Sequence, residues 1–519
     1  MKKYSVAIVV SIAAFIFAID TTMMNVAITA LTQDLNTEIQ NIQFAIAFYA
    51  LVIAAFMLLG AKLASIYGTK RIFIIGVILF GIGTLTASLS VNVGMLIVGW
   101  SVIEGIGSAF MIPTAVTFLM TAYQGKERAV AFVIFASVSV GAAAIGPIVG
   151  GAFTTYLSWR WAFGMEFFLV VLILVFSRVL TGQRSPERPK LDVGGALLSA
   201  LGFVCLMVGV INMSTHSWAA MLIITGCILL LLFVLWERKQ ERKGNEPLLP
   251  ISMLKNRPYM VGAAVNLIEQ VCLAALLFSI PFFLQSVLHK NAIQTGLVLT
   301  PLMLAVLVMT FLTPRLGARV PVKYLSIVGI AISIIGIVLL ANSFSVDMAP
   351  TALIPGLVLF GAGVGLALAQ LQNLSLSSVK VSETNEGTGL FNTLKNLGWS
   401  LGTAIVGALL ITFFVSGLIL GINGSAVLPQ ADKEELTVLA TQSTHQMWGE
   451  DIKAQIEATF GDYPDEYMQE LKVITADAIG RSMRVAYYTL AGILGAGLVS
   501  SLFLSRRKLV PTPGPAGPT

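Results

Sequence analysis

An all-α membrane protein with fourteen spans is the fold class this sequence predicts, and three observations carry that prediction. Of its 519 residues 56% are hydrophobic and only 11% charged, with a mean hydropathy of +0.87. Apolar runs of the roughly 20 residues needed to cross a bilayer recur along the chain. The basic residues between those runs favour one side. The net charge of +6 therefore reflects membrane topology and not a nucleic-acid partner.

In order, spans are expected near Ser5–Leu31, Ile42–Ser65, Ile72–Val91, Met95–Tyr123, Ala129–Leu157 and Trp161–Leu180. Two more follow near Gly194–Met213 and Trp218–Trp236. The rest lie near Tyr259–Leu288, Gly296–Leu312, Tyr324–Ser343, Ala352–Ser378, Leu390–Gly421 and Val485–Leu504. The first is too long, and too poor in cleavage features, for a removable signal peptide, so it reads as a retained anchor. Lys2, Lys3, Lys62, Lys70, Arg71, Lys126 and Arg128 fall on the side of the N-terminus, as do the basic stretch Glu237–Arg257 and Arg506–Lys508. The opposite short loops carry only Arg160 and Lys290. Both termini are thus expected in the cytoplasm of a multi-pass protein of the cell membrane. An even number of spans demands the same.

The stretch Glu237–Arg257 divides the chain into two halves, giving expected units of 1–181, 182–257 and 258–504, with a disordered tail at 505–519. Segment 422–483 is expected as an extracytoplasmic loop. Between Ile422 and Ile479 it holds eleven acidic residues against Lys433, Lys453 and Lys472. Alternation near Leu436–Trp448 and Ile452–Phe460 predicts short amphipathic helices there. Cys205, Cys227 and Cys272 all lie in apolar segments and read as core thiols.

Five motifs then stand in order along the spans. Asp20-Thr21-Thr22-Met23-Met24-Asn25-Val26-Ala27 closes the first span. Gly60-Ala61-Lys62-Leu63-Ala64 and Tyr67-Gly68-Thr69-Lys70-Arg71 join spans two and three. Span five holds Gly141 and then Ile145-Gly146-Pro147-Ile148-Val149-Gly150-Gly151, where glycines four apart admit a neighbouring backbone and Pro147 removes a hydrogen bond and bends the helix. Trp159-Arg160-Trp161-Ala162-Phe163 opens span six, and Leu390-Phe391-Asn392-Thr393-Leu394-Lys395-Asn396-Leu397-Gly398 opens span thirteen. Together they resemble the fourteen-span drug:proton antiporter family of the major facilitator superfamily. That resemblance implies two six-helix bundles with spans seven and eight as an additional central pair. It also implies alternating access, export of amphiphiles, proton antiport, and gating or packing roles for Gly60, Gly68, Lys70, Arg71, Gly141, Gly146, Pro147, Gly150 and Gly151.

The sequence also departs from that family. Ser65 and Ile66 stand where its gating motif has Asp and Arg, Ser101 where span four carries Arg, Glu166 where span six has Asn, and Lys395 where span thirteen has Arg.

Ionisable groups at membrane depth cost about 2.5–3.5 kcal/mol each on insertion scales and mark a pathway by default. Asp20, Glu104 and Glu269 are the proton-coupling candidates. Asn25, Glu166, Asn266, Gln270, Gln370, Asn373 and Lys395 are candidates for the substrate cavity. Thr21 and Thr22 either hydrogen-bond Asp20 or line a cavity. Glu104 reads either as a proton carrier or as the partner of Lys395 in a pair joining the halves. Four buried acids against Lys395 favour cationic or neutral amphiphiles. Phe44, Phe48, Tyr49, Phe282 and Phe283 either line an apolar pocket or pack. His216, His289 and His445 fall at outer positions, and no metal-ligand spacing occurs.

The sequence has no phosphate-binding Gly-x-x-x-x-Gly-Lys-Ser/Thr loop and no clustered nucleophile, base and acid, so neither an enzyme nor a cofactor is expected. The expected partners are an amphiphile, protons and the bilayer, with an accessory envelope protein left open. Two other readings stand: a lipid or metabolite exporter on the same fold, and an uncoupled receptor or assembly partner, which the changes at Ser65 and Ser101 keep alive.

Overall fold

Lipid offers no hydrogen bonds to a backbone, so each crossing segment must satisfy its own amides as a helix. The structure, a computed structural model, describes residues 4–181, 192–211, 218–243, 247–249, 251–317, 319–379, 384–430, 433–434, 436–438 and 465–504. Among these, fourteen helices are long and apolar enough to cross a membrane. The expected amphipathic helices near 436–460, the tail at 505–519, His216 and His445 lie largely or wholly outside the described residues, as do the side chains of Gln370 and Asn373.

The first half contains α1 (Ser5–Met23), α2 (Ile28–Asp34), α3 (Ile39–Tyr67), α4 (Thr69–Ser88), α5 (Val93–Leu96), α6 (Gly105–Ala122), α7 (Gly125–Tyr156) and α8 (Arg160–Phe176). The next pair is α9 (Val193–Ile211) and α10 (Ala219–Arg242), followed by the short α11 (Ile251–Lys255). The second half contains α12 (Arg257–Ser286), α13 (Ala292–Gly317), α14 (Val322–Ser343), α15 (Ile354–Leu376), α16 (Thr384–Gly424) and α17 (Asp465–Ser501). Six spanning helices thus form each bundle. The α9–α10 pair packs on itself and, through α9, on α3 and α16.

Several boundaries differ from the sequence reading. The first span does not run unbroken to Leu31. It ends at Met23 in a 3-10 turn, Met24–Val26, before α2. Thr21 and Thr22 donate to the carbonyls of Ala18 and Ile19, and Asn25 donates to that of Thr21. Such side-chain bonds compete with the helical ladder and bend it. The fourth span contains a π-helical stretch, Ile97–Glu104, between α5 and α6. The last helix starts at Asp465, not near Val485, so part of the expected loop is helical and Arg481 and Arg484 sit within a helix. Gly68 separates α3 from α4 with φ 96°, a conformation that only glycine adopts freely. Of the cysteines only Cys272 is a core thiol. Cys227 is exposed and Cys205 intermediate.

The glycines of span five set the packing of α7. A Cβ at Gly146 would collide with Thr22, and one at Gly150 with the Met23 backbone, so α1 lies against that face. A Cβ at Gly151 would come within 2.6 Å of the Ala292 carbonyl, so α13 of the other half approaches an adjacent face. Gly296 on α13 in turn meets the Pro147 backbone. Gly141 has no neighbour within 4 Å. The two bundles also meet along α3 and α16. There Gln43 donates to the Thr403 carbonyl (2.8 Å) and Ser400 to that of Ala47 (2.7 Å).

Candidate functional site

Three carboxylates from three helices converge inside the first bundle. Asp20 on α1, Glu104 at the end of the π stretch and Glu166 on α8 are each 0% exposed. One oxygen of each lies within 4.8 Å of those of the other two. The sequence reading places Asp20 and Glu104 among proton carriers and Glu166 apart from them, in the cavity set. The fold brings all three together.

Local structure explains the convergence. Gly83 on α4 lets the π stretch approach so closely that an added Cβ would lie 2.6 Å from Glu104 Cβ. A π turn shifts side chains around the helix axis relative to a regular helix, and such turns recur at functional sites. Glu104 lies eleven residues past Val93, about 16 Å into the span at helical rise. Trp100, four residues earlier, donates its indole N–H to both oxygens of Asp20, at 3.1 and 3.2 Å. Tyr49 stacks on Trp100 with ring centroids 5.6 Å apart, and its hydroxyl is 3.1 Å from that of Ser108. Thr84 donates towards Glu166 Oε2 (3.2 Å) and the Phe163 carbonyl (3.1 Å). Both oxygens of Glu104 and Oε1 of Glu166 have no hydrogen-bond partner.

Two contacts that the sequence left as alternatives are absent. Thr21 and Thr22 bond to backbone carbonyls and leave Asp20 to Trp100. No ion pair joins Glu104 to Lys395, whose side chain is half-buried on α16; the charged groups facing Glu104 are Asp20 and Glu166. The two residues lie on helices of opposite bundles, and α16 meets the first bundle mainly through α3. Ser101, standing where the family pattern has Arg, donates to the Ala45 carbonyl at 2.8 Å and adds no charge.

A second polar island sits in the other bundle, on α12. Glu269 is 0% exposed with both oxygens unpartnered, and Asn266 and Gln270, each 4% exposed, have unpartnered amide oxygens. Gly398 on α16 lies against Gln270, where an added Cβ would be 3.1 Å from its Cβ. Asn25 is buried at the end of α1. Tyr49, Phe282 and Phe283 are core residues, whereas Phe44 and Phe48 stack on one another half-buried. Near the gating motif a cavity of about 70 Å³ is lined by Ala61, Ser65, Thr69, Pro113, Thr117 and Thr388. Gly60 packs on α6, Lys70 is half-buried and Arg71 exposed.

Trp100 and Thr84 escaped the sequence reading. A Trp inside an apolar span does carry a signal, because a buried indole N–H needs an acceptor.

Two helix bundles with a buried polar island inside each have the layout of a polytopic membrane transporter. The profile of the Major Facilitator Superfamily matches residues 10–213 and 191–403. The chain belongs to that superfamily. It is 27% identical over 494 residues to the probable actinorhodin transporter of Streptomyces coelicolor, covering 90% of this chain and 84% of the relative. The cephamycin export protein of Amycolatopsis lactamdurans is 30% identical, covering 76% of this chain and 82% of the relative. Multidrug resistance protein 3 of Bacillus subtilis is 26% identical over 79% of this chain and 80% of its own. These relatives place the chain with the drug-efflux type. In fold it is similar to a bacterial homolog of the human lysosomal transporter Spinster, with a TM-score of 0.63 at 16% identity, covering 98% of this chain and 99% of that one.

Proposed function

We propose that the protein exports cationic or neutral amphiphiles from the cytoplasm by alternating access, in exchange for protons. The observation that carries the coupling is the group Asp20, Glu104 and Glu166. Three fully buried carboxyl groups, met only by neutral donors such as the Trp100 indole and the Thr84 hydroxyl, cannot all hold charge without a counter-charge. A proton is the simplest one, and its gain or loss follows the opening of the bundle to water. Glu269 with Asn266 and Gln270 is a second polar station on the opposite bundle, and Asn25 and Lys395 belong to the same reading. The names of the relatives, exporters of antibiotics and a multidrug resistance protein, support the direction and class of substrate.

With both termini in the cytoplasm, the contacts between bundles gather toward the outer end. Gln285 donates to the Val26 carbonyl at 2.8 Å, Thr155 accepts from Ile293 N at 3.1 Å, and Gln43 donates to Thr403. In this reading residues 1–181 and 258–504 work as the two bundles and 182–257 as the intervening pair. Flux of a labelled cationic amphiphile into inverted membrane vesicles tests the reading. Uptake should require the protein and rise with an imposed acid-inside gradient. Uptake indifferent to the gradient would remove proton coupling, and no uptake would favour a different cargo or an uncoupled partner role.

A further inference from the structure

We propose that the pocket formed by Asp20, Glu104 and Glu166 also binds a hard inorganic cation of Ca²⁺ or Na⁺ size, which takes the place of its protons. The donor set is all oxygen, the chemistry of Na⁺, Mg²⁺ and Ca²⁺ and not of soft transition metals. One oxygen of each carboxylate lies within 4.8 Å of the others. Two bonds of about 2.3–2.6 Å, the Ca²⁺–oxygen distance, span the same width. Mg²⁺ needs shorter bonds and sheds its water reluctantly, so a fully buried pocket of this width suits it less.

The second observation is independent of the clustering. Glu104 is 0% exposed and faces the other two acids, and no donor outside the acid group reaches either of its oxygens. Oε1 of Glu166 is likewise unpartnered. A buried polar atom left without a partner costs about 1–3 kcal/mol, more when charged, and a bound ion is one way to offset that cost. Thr84 places a neutral hydroxyl oxygen beside Glu166. The groups acting electrostatically on the three acids are one another and Tyr49 holds its hydroxyl beside them; no basic side chain does so among the described residues. The protein supplies three negative groups here and no cation of its own.

The inference deepens the coupling reading above and rests on it for any role in transport, but binding can be measured without flux. Purified full-length protein in detergent is titrated with NaCl, CaCl₂ and MgCl₂, with choline chloride at matched ionic strength as control. Melting temperature and intrinsic fluorescence are followed, the difference between wild type and Trp100→Phe isolating the indole that touches Asp20. The expected result is a saturable rise in melting temperature of several degrees with Na⁺ or Ca²⁺, absent with choline. Glu104→Gln and Glu166→Gln should each lower the apparent affinity at least tenfold, while Glu237→Gln, outside the pocket, should not. Thr84→Val, which removes a neutral oxygen, should weaken binding several-fold and covers the case in which a carboxyl variant does not fold. No saturable response, an equal response to choline, or a response kept in Glu104→Gln and Glu166→Gln would overturn the proposal. Gradient-driven flux that persists with no cation response would sink the cation site and leave proton coupling standing.

Discussion

Trp100 donates one indole N–H to both oxygens of Asp20, joining residues 80 apart in sequence inside a helix bundle. This contact anchors α1 to the π stretch and fixes where the carboxylate points. Trp100→Phe keeps the ring stacked on Tyr49 and removes only the donor. A hydrogen bond to a charged group contributes about 1.5–3 kcal/mol, so transport should fall about tenfold or more. Initial uptake rates in vesicles, normalised to protein in the membrane, measure it. Unaltered rates would mean that Asp20 is held by other means.

Of the three acids in the first bundle, Glu104 is the one that no neutral donor reaches. Glu104→Gln keeps its shape and cannot ionise. Gradient-driven uptake should be lost, while substrate binding and substrate–substrate exchange persist. Counterflow and gradient-driven uptake measured on the same vesicles separate the two. Full gradient-driven uptake in Glu104→Gln would exclude this residue as the carrier.

Close approach at span five leaves no room for a side chain at Gly150, where the Met23 backbone lies. Gly150→Leu should abolish transport without blocking insertion, and lower the melting temperature by an amount corresponding to about 1–3 kcal/mol of overpacking. Gly141→Leu should do far less, because no neighbour lies within 4 Å of that position. Equal damage at the two positions would argue against α1 packing as the cause.

On the central pair, buried Glu237 of α10 lies within electrostatic reach of Asp192 and of Lys62 on α3 of the first bundle. Asp192 accepts from Trp236 at 2.9 Å and from Gly195 N at 2.9 Å. The central helix pair is thereby tied to the gating segment at the level of Ser65. Lys62→Met and Glu237→Gln should each destabilise the protein, and together by less than their sum, with a coupling of about 0.5–3 kcal/mol. A double-mutant cycle on melting temperature reads this directly. Strict additivity would show the two groups to be independent.

Topology has its own test. Val91, 76% exposed between α4 and α5, is expected outside, and exposed Arg242 at the end of α10 inside. An impermeant thiol reagent should label Val91→Cys in intact cells and Arg242→Cys only after the membrane is opened. The reverse pattern would invert the orientation.

The number and type of spans were legible because a bilayer demands about 20 apolar residues per helix, a constraint each segment meets alone. The motif glycines were legible for a similar reason, since small residues four apart write a contact face into a single helix. Asp20, Glu104 and Glu269 were also visible, because a charge in an apolar run is conspicuous wherever it points. Their grouping was not. Whether Glu166 meets Asp20 and Glu104, and whether Glu104 meets Lys395, depends on helix rotation, on the π turn before Glu104 and on the closeness that Gly83 permits. Periodicity carries none of those. The break in α1 was hidden because hydropathy records burial in lipid and not the local hydrogen bonds of Thr21, Thr22 and Asn25, and the early start of α17 because its first turns, from Asp465, are polar. By itself the sequence determined an all-helical membrane protein in two halves, and which side chains are out of place in lipid. Only the tertiary structure decided which of those meet, because a buried carboxyl group takes its partners from neighbouring helices rather than from neighbours in sequence.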